Sequence, residues 1–433
     1  METGTYVKPP WVLARTAWQR PAQRPVTQIL SDHLVFSDWY EKPSESLIQA
    51  KDRISHLESA RRWELVKKMA NPYEIVYTHE DKQFHPSLAI IKPLSRSYFK
   101  MIEMADVLEF FEHMTNTQSK IRTAHVAEGP GGFIQGIVDL CERKKKTLQI
   151  ATAMTLKSSD QRVPGWRRAS TFLHHHREVR LHYGADETGD IYNVANQDSF
   201  VKAVEPGVHF FTADGGFDFS INYSVQEKAV FRLLVCSATV GLRCLLPDGS
   251  LVLKVFESFS PATELLIVLL GRCFKEWMLY KPALSRPCNS ERYFLGRGFN
   301  RLSPQTLQVL MAMQSAAAED KYPRLEGLDI SEPERAYLDH NSRKYTLEQE
   351  TAIQKAEQYA NHPEVWYSTQ LPHDFRSSLL WCEKFHVPYK LSRPAVITAY
   401  AHPAEYTCEP VADQQSPSPG GGSVIPAPSD PAS

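Results

Sequence analysis

The chain has no apolar run long enough to cross a bilayer. Its longest, Leu265 to Leu270, falls far short of the roughly 20 residues a spanning helix needs. The opening Met1-Glu2-Thr3-Gly4 lacks a charged stretch followed by an apolar one, so no secretory signal is expected. Cysteine is sparse: the seven residues at 141, 236, 244, 273, 288, 382 and 408 are odd in number and form no C-x-x-C pair. That argues against a disulfide framework or a zinc ribbon and suits reduced thiols in an intracellular protein. Surplus charge is missing too, because 49 basic residues face 50 acidic ones. A protein that coats polyanions in bulk is thereby disfavoured, and any nucleic acid must be held locally.

What is present is a pattern of alternating elements. Apolar runs near 123–128, 148–154, 178–183, 207–213, 249–256, 275–281 and 291–297 read as strands, with helices at 131–142, 224–246 and 261–273 between them. Strand and helix in turn predict an α/β fold, a mainly parallel seven-stranded sheet covered on both faces. Four segments are expected: an N-terminal arm and helix over 1–90, the sheet domain over 91–300, a mainly helical extension over 301–410, and a disordered Pro/Ser/Gly tail over 411–433. Within the first, 44–70 reads as one helix; 97–114, 303–319 and 346–361 read as further helices.

Glu128-Gly129-Pro130-Gly131-Gly132-Phe133 follows the first strand and opens an amphipathic helix. Glycines there let a ligand lie against the main chain, and the free N–H groups of the helix start favour its polar atoms. An ordinary turn is the other reading of the same residues. The dinucleotide fingerprint G-x-G-x-x-G does not fit, since position 134 is isoleucine, and a dehydrogenase is disfavoured.

Ligands in open α/β sheets bind at the carboxyl ends of strands. Phe210 to Gly216 is an apolar strand ending in Asp214 and two glycines. Ser250 to Phe256 sets Lys254 inside a run that should be buried, where a lysine is costly to desolvate. Ser285-Arg286-Pro287-Cys288-Asn289-Ser290-Glu291-Arg292-Tyr293 brings Glu291 to the start of another strand, and Ser95 to Lys100 opens a helix with a second lysine.

In these motifs, over about residues 90 to 300, the chain resembles the FtsJ/RrmJ-type ribose 2′-O-methyltransferases, most closely those acting on the capped 5′ end of mRNA. The resemblance implies a Rossmann-like class I fold with S-adenosylmethionine as cofactor, and a Lys-Asp-Lys-Glu tetrad at Lys100, Asp214, Lys254 and Glu291. It implies cofactor contacts from Glu128, Gly129, Pro130, Gly131, Gly132, Phe133, Asp190, Ile191 and Asp214, and RNA contacts from Arg286, Asn289 and Ser290. The chain departs from many relatives in having His125 where they place an aspartate, and its second strand ends in Ala153-Met154-Thr155 without an acid for the ribose hydroxyls.

A ribose hydroxyl is a very weak acid, so its methylation needs a base or a strong orienting acceptor. A lysine serves as a base only if burial or a neighbouring cation lowers its pKa from about 10.4. The expectation is that Lys254 takes the proton, Lys100 helps lower its pKa, and the two carboxylates hold the amines while opposing that lowering.

The basic stretch from Arg162 to Arg180 is either a solvated loop or a phosphate contact, and its His174, His175 and His176 face different ways, which disfavours a metal site. Trp39, Tyr40, Tyr98 and Trp166 are candidates for stacking a cap guanine, or packing residues. The expected substrate is capped mRNA, with other capping or transcription proteins as further partners, an intracellular setting, nuclear or cytoplasmic, and no membrane. A ribosomal or transfer RNA methyltransferase is the first alternative, and a non-catalytic RNA-binding subunit on the same scaffold the second.

Overall fold

The computed structural model describes residues 9–20, 35–59, 62–78, 84, 86–113, 120–160, 163, 165–216, 226–323 and 330–391. The tail over 411–433, Arg162 and parts of the N-terminal arm lie outside them. Residues up to Ser392 cluster as one unit.

Seven strands form the sheet: β1 (Lys120–Val126), β2 (Thr147–Met154), β3 (Val179–His182), β4 (Val208–Ala213), β5 (Leu245–Val255), β6 (Phe274–Tyr280) and β7 (Arg292–Phe299). Their order is β3-β2-β1-β4-β5-β7-β6. All neighbours are parallel up to β5, and β7 runs antiparallel to both β5 and β6. The mainly parallel sheet read from the sequence is therefore present. The order reverses between β1 and β4, and the crevice above such a switch point is where open α/β sheets take ligands.

The helices labelled here are α1 (Glu45–Ser59), α2 (Trp63–Met69), α3 (Ser97–Val107), α4 (Gly132–Arg143), α5 (Val194–Ala203), α6 (Gln226–Cys244), α7 (Pro261–Gly271), α8 (Pro304–Ala318), α9 (Glu332–Asn361) and α10 (Leu371–Lys384). The single helix expected over 44–70 is thus two. The helix expected over 97–114 ends at Val107 and resumes at Phe110, because Glu109 takes a positive φ of 51°. The extension helix expected at 346 begins at Glu332, where Ser331 and Glu334 form a reciprocal capping box.

Two extensions cover what the sheet would otherwise expose. The edge strand β6 is bridged by Gln19, whose N–H donates to Trp277 O at 2.8 Å, and is overlaid by α9. There the Tyr337 hydroxyl accepts from Leu279 N–H and the Tyr345 hydroxyl donates to Leu279 O. An edge so covered cannot pair with another chain. On the other side α10 packs on α3 through Trp381, which is buried and donates to Glu103 at 2.7 Å.

Candidate active site

The glycine turn is set by β1 and α4. Gly131 caps α4 in the left-handed region at φ 101°, which a side chain would strain. At Gly132 a Cβ would stand 2.9 Å from Tyr98 N and closer still to the Ser95 and Ser97 hydroxyls. The start of α3 is therefore pressed against the start of α4. Further along, Gly136 lets the two helices approach, since a Cβ there would lie 3.2 Å from Tyr98 O. Phe133, Ile134, Ile137 and Val138 bury the sheet-facing side of α4. One turn into α3, this packing sets Lys100 at the rim of the sheet.

The β5–β7 register pairs Lys254 with Tyr293, and the β4–β5 register pairs Ala213 with Leu253. Asp214, Lys254 and Tyr293 thus stand side by side at the carboxyl ends of β4 and β5, and Glu291, two residues before Tyr293, faces the same way. The four residues matched from sequence converge. Lys100 Nζ is 2.6 Å from Glu291 Oε1, and Lys254 Nζ is 2.9 Å from Asp214 Oδ1 and 3.6 Å from Glu291 Oε2. Tyr293, not assigned a role from the sequence, donates to Asp214 Oδ1 at 2.7 Å and lies 3.4 Å from Lys100 Nζ.

The charge state follows from those distances. Burial draws the Lys254 ammonium down, but the carboxylates of Asp214 and Glu291 outweigh it and hold the group above its ordinary value. Glu291 is likewise penalised by burial, and Lys100 and Lys254 overcome that to hold its carboxyl well below the usual range. In the free protein Lys254 is thus held as an ammonium and Glu291 as a carboxylate. The opposition to lowering expected of the carboxylates prevails.

Around the turn, Glu128 is buried, and its Oε1 accepts from the Thr212 hydroxyl. His125, the departure from the aspartate pattern, is buried between the Thr123 and Thr212 hydroxyls at 2.8 and 2.7 Å. Glu128 Oε2 receives no hydrogen bond, lying 3.4 Å from His125 Nδ1, and burial holds the carboxyl above its usual range. Trp166, packed over Gly131, has an unpartnered indole N–H. An orphaned acceptor and donor beside a bare glycine turn suit a zwitterionic ligand such as the methionine part of S-adenosylmethionine.

Beyond β3, the Thr188-Gly189-Asp190-Ile191 loop is organised by Asn196, which sequence reasoning missed. Its amide donates to Asp186 Oδ1, Thr188 Oγ1 and Asp190 O at 2.8, 3.2 and 3.0 Å, and its carbonyl accepts from Ala185 and Asp186 N–H. Gly189 is held against Thr155 O, which joins this loop to the end of β2.

The residues matched as RNA contacts are placed differently from one another. Asn289 is exposed and Ser290 is buried, donating to Gln226 Oε1 at 3.0 Å. Arg286 makes a two-pronged pair with Glu74, at 3.1 and 2.8 Å, and Arg96 joins the same carboxylate at 2.9 Å. Of the stacking candidates, Tyr98 and Trp166 are buried, Trp39 packs edge-on to Phe231 and Tyr322, and Tyr40 is exposed. In the basic stretch Arg167, Arg168, Arg177 and Arg180 are exposed, while His174, His175 and His176 have three separate partners, Arg177, Thr171 O and Glu178.

Residues 93–299 match the model of the FtsJ-like methyltransferase family. The chain is 28% identical over 235 residues to a Drosophila melanogaster protein named cap-specific mRNA (nucleoside-2′-O-)-methyltransferase 1, covering 52% of this chain and 29% of that one. To the Xenopus laevis protein of the same name it is 30% identical over 273 residues, 58% of this chain and 30% of the relative. A Trypanosoma cruzi protein of that name is 28% identical over 261 residues, 58% of this chain and 70% of the relative. The chain thus spans about 30% of the length of the first two relatives.

Proposed function

We propose that this protein methylates the ribose 2′-hydroxyl of a nucleotide next to the 5′ cap of mRNA, a reading supported by the match of residues 93–299 to the FtsJ-like methyltransferase family. The observation that carries the reading is the convergence of Lys100, Asp214, Lys254 and Glu291, from four separate elements, at the switch-point end of the sheet. The cap as substrate is supported by the names of the relatives and by the Ser285–Tyr293 segment that supplies Glu291.

The cofactor is S-adenosylmethionine, which supplies an electrophilic sulfonium methyl. Glu128 Oε2 would accept from its ammonium, the Gly129–Phe133 turn would supply backbone N–H groups, and Asp190 and Ile191 would flank its adenine. Asp214 is the member of the tetrad that would also border the cofactor.

The chain's part in the chemistry is to present one hydroxyl and to receive its proton. Lys254 Nζ is the only amine of the cluster bound to both carboxylates, and that fixes its position against the ribose oxygen. Lys100 and Tyr293 hold Glu291 and Asp214 in turn. Lys254 accepts the proton once it has lost its own. Each cation brought near it draws its pKa down, whereas the carboxylates alone hold it up. Asn289 and Ser290 border the RNA, and Arg286 acts through its pairing with Glu74 to hold their loop. Such a substrate sets the protein inside the cell.

The direct test is transfer of labelled methyl from S-adenosylmethionine to matched RNAs with and without a cap, followed by nuclease mapping of the labelled ribose. Label confined to a cap-proximal ribose, and only on capped RNA, is expected. Equal labelling of uncapped RNA would point instead to a ribosomal or transfer RNA enzyme of the same fold.

A second expected outcome concerns the turn. Gly132→Ala drives a methyl group into Tyr98 N and the two serine hydroxyls, forcing α3 and α4 apart where the cofactor is held. Affinity for S-adenosylhomocysteine, measured by calorimetry, should fall about tenfold or more for a lost or displaced set of backbone hydrogen bonds. Unchanged affinity would mean that the turn does not hold the cofactor.

A further inference from the structure

Arg292 follows Glu291 and, by strand alternation, points away from the tetrad. It is 4% exposed. Its Nε and Nη2 donate to Phe256 O at 3.1 and 2.6 Å, Nη2 lies 3.4 Å from Ser258 Oγ, and the Tyr345 ring centroid is 4.9 Å from Cζ. Nη1 has no hydrogen-bond partner. Beside it, Lys281 donates only to neutral acceptors: Asn289 O at 2.8 Å, Glu291 O at 2.8 Å, Asn289 Oδ1 at 3.0 Å and Ser285 Oγ at 3.3 Å. Burial, helped by the charges of Arg292 and Lys100 and opposed by Glu291, pulls its ammonium down to about 7.

These two cations line one groove, walled by Glu257 and by Ser342, Tyr345 and Thr346 of α9. The acids nearby are already matched, Glu257 with Lys51 at 2.5 Å and Glu348 with Lys344 at 4.0 Å. A buried guanidinium with a free N–H, which the carboxyls of Glu257 and Glu227 reach only through space and not by a hydrogen bond, is unfavourable unless an anion completes it.

We propose that this groove is a phosphate subsite for the RNA substrate, in which one phosphate accepts hydrogen bonds from Arg292 Nη1 and Lys281 while α9 forms the outer wall. The inference rests on the RNA-methylation reading. Arg292 is the residue directly after Glu291, so an RNA strand leaving the tetrad over the end of β7 meets the groove. The helical extension is then part of the substrate site, outside the 93–299 domain. The phosphate belongs either to the cap's phosphate bridge or to the transcript body.

The test compares wild type with Lys281→Gln, Thr346→Glu and, as a control on an exposed position of the same helix, Arg343→Glu. The readouts are RNA dissociation constant, KM for RNA and salt dependence, using capped RNAs with one downstream nucleotide and with a long body. Lys281→Gln and Thr346→Glu should each weaken RNA binding about tenfold, as expected for a lost charged hydrogen bond. In Lys281→Gln the salt slope should fall by roughly 0.7, the value for one single-strand phosphate contact. Arg343→Glu should match wild type. A loss seen already with the short RNA assigns the cap bridge; one seen only with the long RNA assigns the body. Unchanged binding in both groove variants, with S-adenosylhomocysteine binding and methylation intact, overturns the subsite and leaves the methylation reading standing. A wild-type protein that methylates no RNA overturns the reading itself.

Discussion

Replacing Lys254 with methionine should lower methyl transfer to capped RNA by about 10³-fold, within the 10² to 10⁴ that a positioned proton acceptor contributes. Affinity for S-adenosylhomocysteine should stay within about twofold, because a change confined to the chemical step leaves cofactor binding in place. Methionine keeps the length of the side chain and removes its nitrogen, so the packing of β5 survives. What is lost is the bond to Asp214 at 2.9 Å and the approach to Glu291 at 3.6 Å. The pH dependence separates a base from a structural cation. A base works only when neutral, and in the free protein the two carboxylates hold Lys254 above its ordinary value. For the wild type, kcat/KM reports the free enzyme and should climb about tenfold per pH unit between pH 6 and 9 without levelling. A shoulder in kcat alone, at lower pH, would measure how far bound substrate and cofactor draw the lysine down. Activity in Lys254→Met close to wild type would remove this residue from the chemistry.

The sheet was legible because its strands are apolar runs bounded by glycine and polar residues, and each expected strand overlaps an observed one. Helices with a polar surface were harder. Val194–Ala203 buries Asn196, Gln197 and Phe200, and the first turns of α9 bury Glu334, Leu338 and Asn341, so the buried stripe of each is mostly polar and does not stand out. The tetrad could be matched because each member sits in its own local motif. Its charge balance could not, since that depends on which oxygen meets which nitrogen across four elements. Arg286 illustrates the same limit. The resemblance implied an RNA contact for it, and the structure adds a pair with Glu74, 212 residues away in sequence, that no local pattern encodes. Asn196 and Lys281 were missed because each binds a mixture of backbone and side-chain groups presented by the conformation of a nearby loop, which no sequence pattern announces.

Glu103 is where the helix that carries Lys100 meets the end of β6, the loop after it and α10, and Glu103→Ala should be the most destabilising single change considered. The residue is fully buried one turn after Lys100 on α3. It accepts from the Tyr280 hydroxyl at the end of β6, from Ala283 N–H at 2.9 Å, and from Trp381 Nε1 of α10 at 2.7 Å. Burial pushes its carboxyl up to about 7, against the pull of those three donors. Removing it leaves all three donors without a partner in a dry interior. At about 1 to 3 kcal/mol for each orphaned group, partly relieved by relaxation, the loss is about 4 kcal/mol. The melting temperature should fall by roughly 5 °C, since the unfolding entropy of a chain this long makes each kcal/mol worth about 1 °C. Glu103→Gln does not restore the site, because its amide presents a donor to one of three donors. It should recover only part of the loss. The functional consequence follows from what the three donors belong to. Ala283 lies in the segment between Lys281 and Glu291, and α3 carries Lys100, so Glu103 ties together the two elements whose side chains meet at 2.6 Å in the tetrad. Methyl transfer by Glu103→Ala should therefore fall even well below its melting point, with KM for S-adenosylmethionine little altered. Full activity in a destabilised variant would show that the Lys100–Glu291 pair holds its own geometry and that the C-terminal helix supports the fold alone.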